Sequence, residues 1–280
     1  MNLFDIPGAR HYCQALTGSP GLPVPSLRGY HDALPNSIHV FQEGSSRFVE
    51  RRIVALHDVE RHLFLAASNY LRALGLLVSS AAPWAHVTLY YASFFAAKAL
   101  VGMFGGWIDG SKRIVEVQAS TPGAQVLVLR RNVKAPNGYQ GSHRAFWDFF
   151  YDAVRCVQPW VDPQWSLALV PVNGDRAWQI SARNEVNYDT RVAFDVVAKF
   201  PTALDRKNFR NSLTGPVATQ LQVTEAMLLV AFKFARELHV ESQVFSPFEG
   251  GKRGACIQAL IVDAGLPELI AQSRINTLAS

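Results

Sequence analysis

Arg183, Asn184, Asn187 and Tyr188 gather four hydrogen-bonding side chains into the stretch RNEVNYD at 183–189. On a helix Arg183 and Asn187 lie one turn apart on one face, and Asn184 and Tyr188 on the next, so all four can converge on one groove. The chemistry such a set offers is recognition of an anion. A guanidinium fork matches two phosphate oxygens at once, and a neighbouring amide can orient them. The same four groups equally suit an internal network that fixes helices against one another, because buried polar groups need partners whether or not they touch a ligand. His143, about forty residues upstream, is the candidate imidazole for proton transfer near neutral pH. It reaches the cluster only where its helix start abuts the later helix. Its plainer role is a solvent-facing ring in a first turn that Ser142 begins.

Basic residues concentrate in the middle of the chain. Lys112, Arg113, Arg130, Arg131, Lys134 and Arg144 lie close in sequence to His143, and Arg206, Lys207 and Arg210 form a second group. With a net charge of +5, a middle section folded back on itself would gather its charges into one patch, and phosphate binding rewards such a patch through counterion release. The alternative is an ordinary solvated surface. Other catalytic templates are missing: there is no GxSxG elbow, no HExxH and no paired CxxC. Cys13, Cys156 and Cys256 are odd in number and far apart, which indicates neither a disulfide framework nor a thiolate metal site. No metal and no cofactor is expected. Arg52 and His57 repeat an Arg-to-His spacing, but Ile53 stands where a polar residue would be needed. FSPFEGGKRG at 245–254 lacks the spacing of a phosphate-binding loop and reads as a turn.

The segment YYASFFAAKALV at 90–101, SHRAFWDF at 142–149 and RNEVNYD at 183–189 together resemble the HEPN superfamily, named for nucleotide-binding proteins of higher eukaryotes and prokaryotes. The resemblance covers roughly residues 45 to 200. It implies a helical bundle, commonly dimeric. In the family's ribonuclease branch an Arg, a polar residue and, four positions further on, a His from two protomers form an RNA-cleaving site without metal. Arg183 and Asn184 match that pattern, and Tyr188 stands in place of the His. A phenol, with a reference pKa of about 10, is a poor base at neutral pH compared with an imidazole.

The elements that would position these groups can be read from apolar periodicity and breakers. Ser45 or Ser46 can cap a long helix whose stripe runs through Val49, Ile53, Leu56, Leu63, Ala67, Tyr70, Leu74 and Leu77, with Glu60 interrupting it. A second helix runs from Pro83 to Met103 and ends at Gly105 and Gly106. Residues 113–118 and 125–129 are short β-branched runs around STPGA, a hairpin between helices. Helix resumes over 140–157, again over about 175–200 with Asp175 as cap, and over about 217–240. The fold class is therefore mainly α: a HEPN-like helical bundle over 45–241 with an inserted β-hairpin at about 112–131. Residues 1–44, dense in proline at TGSPGLPVPS (17–26), read as an extended arm outside the core, and 242–280 as a C-terminal extension.

No apolar stretch reaches the length of about 18 residues that marks a membrane span, and the N-terminus lacks the pattern of a secretory signal. A cytoplasmic homodimer is expected. Three functions stay open: a noncatalytic module binding RNA, a nucleotide or a partner protein in a prokaryotic-type stress or defence system; a metal-independent endoribonuclease using Arg183 with His143 or Tyr188; and a structural scaffold.

Overall fold

The computed structural model describes residues 5–13, 25–109, 113–131, 142–163, 165–199 and 213–242. Lys112, Lys134, the Arg206–Arg210 group, most of the 17–26 proline stretch and the extension from 243 onward lie outside the described residues. The fold is mainly helical with a small antiparallel sheet. Its helices are α1 (Ile6–Cys13), α2 (Leu27–Ala33), α3 (Ser46–Val78), α4 (Ala82–Met103), α5 (Ser142–Ala153), α6 (Trp178–Tyr188), α7 (Thr190–Ala198) and α8 (Gly215–Ser242). Its strands are β1 (Val40–Gln42), β2 (Trp107–Asp109), β3 (Arg113–Ala119) and β4 (Val126–Arg131). No helix among the described residues is long and apolar enough to cross a membrane.

Two helix boundaries follow directly from local chemistry. At the start of α3 the Ser45 hydroxyl accepts from the Phe48 amide at 3.2 Å, satisfying one of the donors a helix N-terminus leaves unpaired. At the end of α4 the Gly105 amide donates to Gly102 O and the Gly106 amide to Val101 O. That pair of bonds is a Schellman turn, and it requires a left-handed residue, which Gly105 supplies at φ +82°.

The chain divides into two compact units. One comprises Met1–His62, Ala97–Asp162 and Lys233–Ser246. Its sheet has the order β1-β4-β3-β2, antiparallel throughout. The expected hairpin is β3 and β4, with Val115 opposite Leu129 and Val117 opposite Leu127. These four side chains and Phe41 of β1 are buried, as the twofold side-chain period of a one-sided sheet requires. In place of an extended arm, α1, α2 and β1 contribute Tyr12, Cys13, Leu27 and Phe41 to the core. Pro7 sits in the first turn of α1, where a missing amide is harmless. Ser26 follows Pro25 and caps α2 by accepting from the Gly29 amide at 3.1 Å.

The first turns of α3 also differ from the expected stripe. Val49 is exposed, whereas Arg51 is fully buried. Its guanidinium donates to the Tyr12 hydroxyl at 3.0 Å and to Gly105 O at 3.1 Å and lies 5.5 Å from the Phe41 ring centroid. A long amphipathic side chain has taken a position that apolar spacing assigned to its neighbours.

The other unit comprises Leu63–Ala96, Pro163–Phe232 and Pro247–Ser280. Within it α8 is fastened by buried polar bonds as well as apolar packing. The Tyr70 hydroxyl donates to Glu225 at 2.9 Å. The Thr224 hydroxyl lies 2.8 Å from that of Ser93 and donates to Leu89 O at 3.2 Å. Each such bond fixes register between helices that apolar contact alone would let slide. The single helix expected over 175–200 is two. It breaks at Asp189, whose carboxylate accepts from the Arg191 and Val192 amides and so caps α7 in extended conformation. An internal cap competes with helix continuation for the same backbone donors.

Candidate functional site

Arg183 lies midway along α6, half-buried. Its Nε and Nη2 both donate to Asn184 Oδ1, at 3.1 and 2.5 Å. The guanidinium carbon sits 4.9 Å from the centre of the Tyr90 ring, so α4 supplies a π face against which the cation stacks. None of the ion pairs among the described residues involves Arg183. Among the described residues the guanidinium is held in place by neutral groups, Asn184 and Tyr90. One turn earlier on α4, His86 is fully buried. Its ring lies beside the Ala182 backbone without full hydrogen-bond geometry. Burial lowers its pKa to about 4, the Ala182 backbone pulling the other way, so the ring is neutral at physiological pH.

The remaining members of the cluster diverge from Arg183. Asn187 is exposed, and Tyr188, the last residue of α6, is 79% exposed. The structure thus brings Arg183 and Asn184 together with Tyr90, while Tyr188 projects into solvent. His143 belongs to the other unit, in the first turn of α5, and is partly buried. Tyr90 comes from the aromatic segment at 90–101 and forms part of the Arg183 site, a role that spacing along one helix does not disclose.

The described basic residues of the middle section have distinct surroundings. Arg113 pairs with Asp32 at 2.6 Å and with Asp109, and lies over the Trp107 ring. Arg130 donates to Glu116 at 2.6 Å. Nε and Nη2 of Arg131 are buried without a hydrogen-bond partner, and Arg144 is partly exposed on α5. Two of these cations are therefore already matched by carboxylates across or beside the sheet.

A second set of polar groups was not singled out by the sequence. In the unit that holds the sheet, Asp58 and His62 of α3 and Lys98 of α4 line a narrow cleft with room for about one water molecule. Asp58 Oδ2 accepts from the Leu27 amide at 2.7 Å, and Oδ1 from Arg61 at 2.9 Å. Burial lowers the His62 pKa to about 4, with Lys98 adding to that and Asp58 opposing it. Burial also lowers the Lys98 pKa, against the pull of Asp109 and Asp58. The available signal was the Asp58–His62 spacing of one helical turn, but the third member lies on another helix. Among the described residues no group of three or more His, Cys, Asp or Glu is placed to hold a metal ion. No protein-family model, no curated protein and no solved structure matches this chain.

Proposed function

We propose that this chain is a HEPN-like module that binds the phosphate of RNA or of a nucleotide without cleaving it. The observation that carries this reading is the Arg183 guanidinium, half-buried, held between Asn184 and Tyr90, and matched by no ion pair among the described residues. A preorganised cation with N–H groups to spare is suited to an oxyanion, because its geometry need not be assembled on binding. The divergence of Tyr188 supports binding over cutting. No imidazole capable of charging at neutral pH lies beside Arg183 on α4, since His86 is held neutral, and general-base catalysis needs a group poised near the working pH. The exposed apolar side chains Tyr188, Phe194 and Val197 on α6 and α7 favour association of two copies.

The test is fluorescence anisotropy with a labelled single-stranded RNA and with AMP as competitor, in chelator, followed by a gel of the RNA after prolonged incubation. Wild type should bind and leave the RNA intact, Arg183→Ala should weaken binding at least about tenfold, and Arg183→Lys should recover part of the loss. Equal binding by Arg183→Ala at the same salt overturns the assignment. RNA cutting that disappears in Arg183→Ala replaces it with the endoribonuclease reading.

A further inference from the structure

The outer face of α4 carries an indole that the Arg183 site does not use. Trp84 lies in the first turn of the helix and is 65% exposed, although Trp offers one of the largest apolar surfaces of any side chain and is on average well buried. The exposure is confined to one face. Ala85, His86 and Val87, which follow it, are buried, and the side chains that share its face, Thr88 and Tyr91, are half-buried. Steps of four and three residues keep Trp84, Thr88 and Tyr91 in line. Two helical turns, about 10 Å along the axis, separate Trp84 from Tyr91.

That face borders the setting of Arg183. The Tyr91 ring meets the Tyr90 ring edge-on, with centroids 5.3 Å apart, and Tyr90 is the ring on which the guanidinium stacks. Trp84 and Arg183 belong to the same compact unit. No Asp or Glu occurs in α4, so no carboxylate of this helix repels a phosphate chain that runs along it. A cation for a phosphate and an exposed aromatic ring further along an acid-free helix are the two components of a single-strand site, in which charge follows the backbone and the ring stacks on a base. Every unpaired base presents a π face for such stacking, whereas in a duplex both faces are covered by the neighbouring pairs.

We infer that Trp84 is a stacking platform for an unpaired base, which makes the ligand of the Arg183 site a single-stranded RNA rather than a mononucleotide: one phosphate lies on the guanidinium, and a base further along the strand lies on the indole. This inference rests on the phosphate-binding reading of Arg183, and probes that differ in length and in the presence of a base separate the failure of one from the failure of the other.

Fluorescence anisotropy of the full chain, in chelator and at constant ionic strength, tests it with a labelled adenylate oligomer of about six nucleotides and with AMP, inorganic tripolyphosphate and a blunt-ended RNA duplex as competitors. Trp84→Ala should weaken the oligomer about five- to hundredfold and leave the three competitors unchanged. Trp84→Phe should retain most of the affinity, and the oligomer should quench the tryptophan fluorescence of the wild type more than that of Trp84→Phe. Thermal melts of both variants should match the wild type, since the replaced ring lies outside the core. Arg183→Ala should weaken AMP and tripolyphosphate as well as the oligomer. Unchanged oligomer affinity in folded Trp84→Ala overturns the inference, and the phosphate reading survives it where Arg183→Ala still weakens AMP. A loss of AMP as large as the loss of oligomer in Trp84→Ala also overturns it, by placing the indole in a mononucleotide site. Sedimentation that shows Trp84→Ala losing self-association while its RNA affinity is unchanged overturns it in favour of a contact between copies. A Trp84 effect without an Arg183 effect overturns the placing of the phosphate, and with it the reading on which the inference rests.

Discussion

His31 of α2 offers a quantitative test of how the sheet-containing unit responds to acid. Its ring is fully buried, packed edge-on against Trp107 at 4.4 Å and near Phe41 at 6.1 Å, and neither ring nitrogen has a hydrogen-bond partner. Burial first, and then the positive charges of Arg51, Arg113 and Arg131, lower its pKa from 6.5 to about 2. A histidine held neutral in the folded chain and free to charge in the unfolded one contributes stability that is complete above pH 6.5 and is lost as the pH falls below it. The loss runs at about 1.4 kcal/mol per pH unit for one proton, or about 2 kcal/mol by pH 5. That is a sizeable part of an ordinary domain's stability. His62 and His86 act in the same direction until about pH 4, so the wild-type dependence between pH 6 and 4 should approach three protons. Phe at position 31 keeps the aromatic contact and removes the titrating group. Urea unfolding followed by circular dichroism from pH 4 to 8 should give a His31→Phe slope shallower by one proton, with stability at pH 8 equal to wild type or higher. Parallel slopes for the two proteins would refute the reasoning, as would an imidazolium signal for His31 in the folded protein at pH 5.

Two further substitutions probe packing and helix termination. Thr224→Val removes the hydroxyl that bridges Ser93 and Leu89 O and leaves buried groups unpaired, which should cost about 1–3 kcal/mol by denaturant unfolding. Gly105→Ala forces a side chain into φ +82° beside Leu127; it should cost about 1–2 kcal/mol, and a melting temperature equal to wild type would count against the helix-terminating turn described for α4.

The long helices and the central hairpin were legible because their signals are local. Ser45, the Gly105–Gly106 pair and the β-branched runs around 113–129 act within a few residues of themselves. The break at Asp189 was hidden by apolar residues that continue at helical spacing from Val186 to Val197, while the deciding event is a single carboxylate turning back onto the Arg191 and Val192 amides. Proline density concealed α1 and α2, since Pro7 and Pro25 stand at helix starts where proline is tolerated, and the buried partners of Tyr12 and Phe41 are distant in sequence. The site was half legible. Arg183 and Asn184 were visible as a pair, whereas Tyr90, which completes the setting of the guanidinium, and the convergence of Asp58, His62 and Lys98 depend on which helices pack together.

The sheet places its seven- and six-residue strands, β3 and β4, between β1 and β2, each of three residues. An open edge so short offers an incoming chain few backbone groups with which to pair, and this is a recognised protection against fibrillar stacking. On the β4 side the protection comes from β1, which precedes β4 by more than eighty residues. A chain deprived of residues 1–44 would present β4 as a bare six-residue template, and its failure would be expected to show as aggregation before it showed as loss of helix.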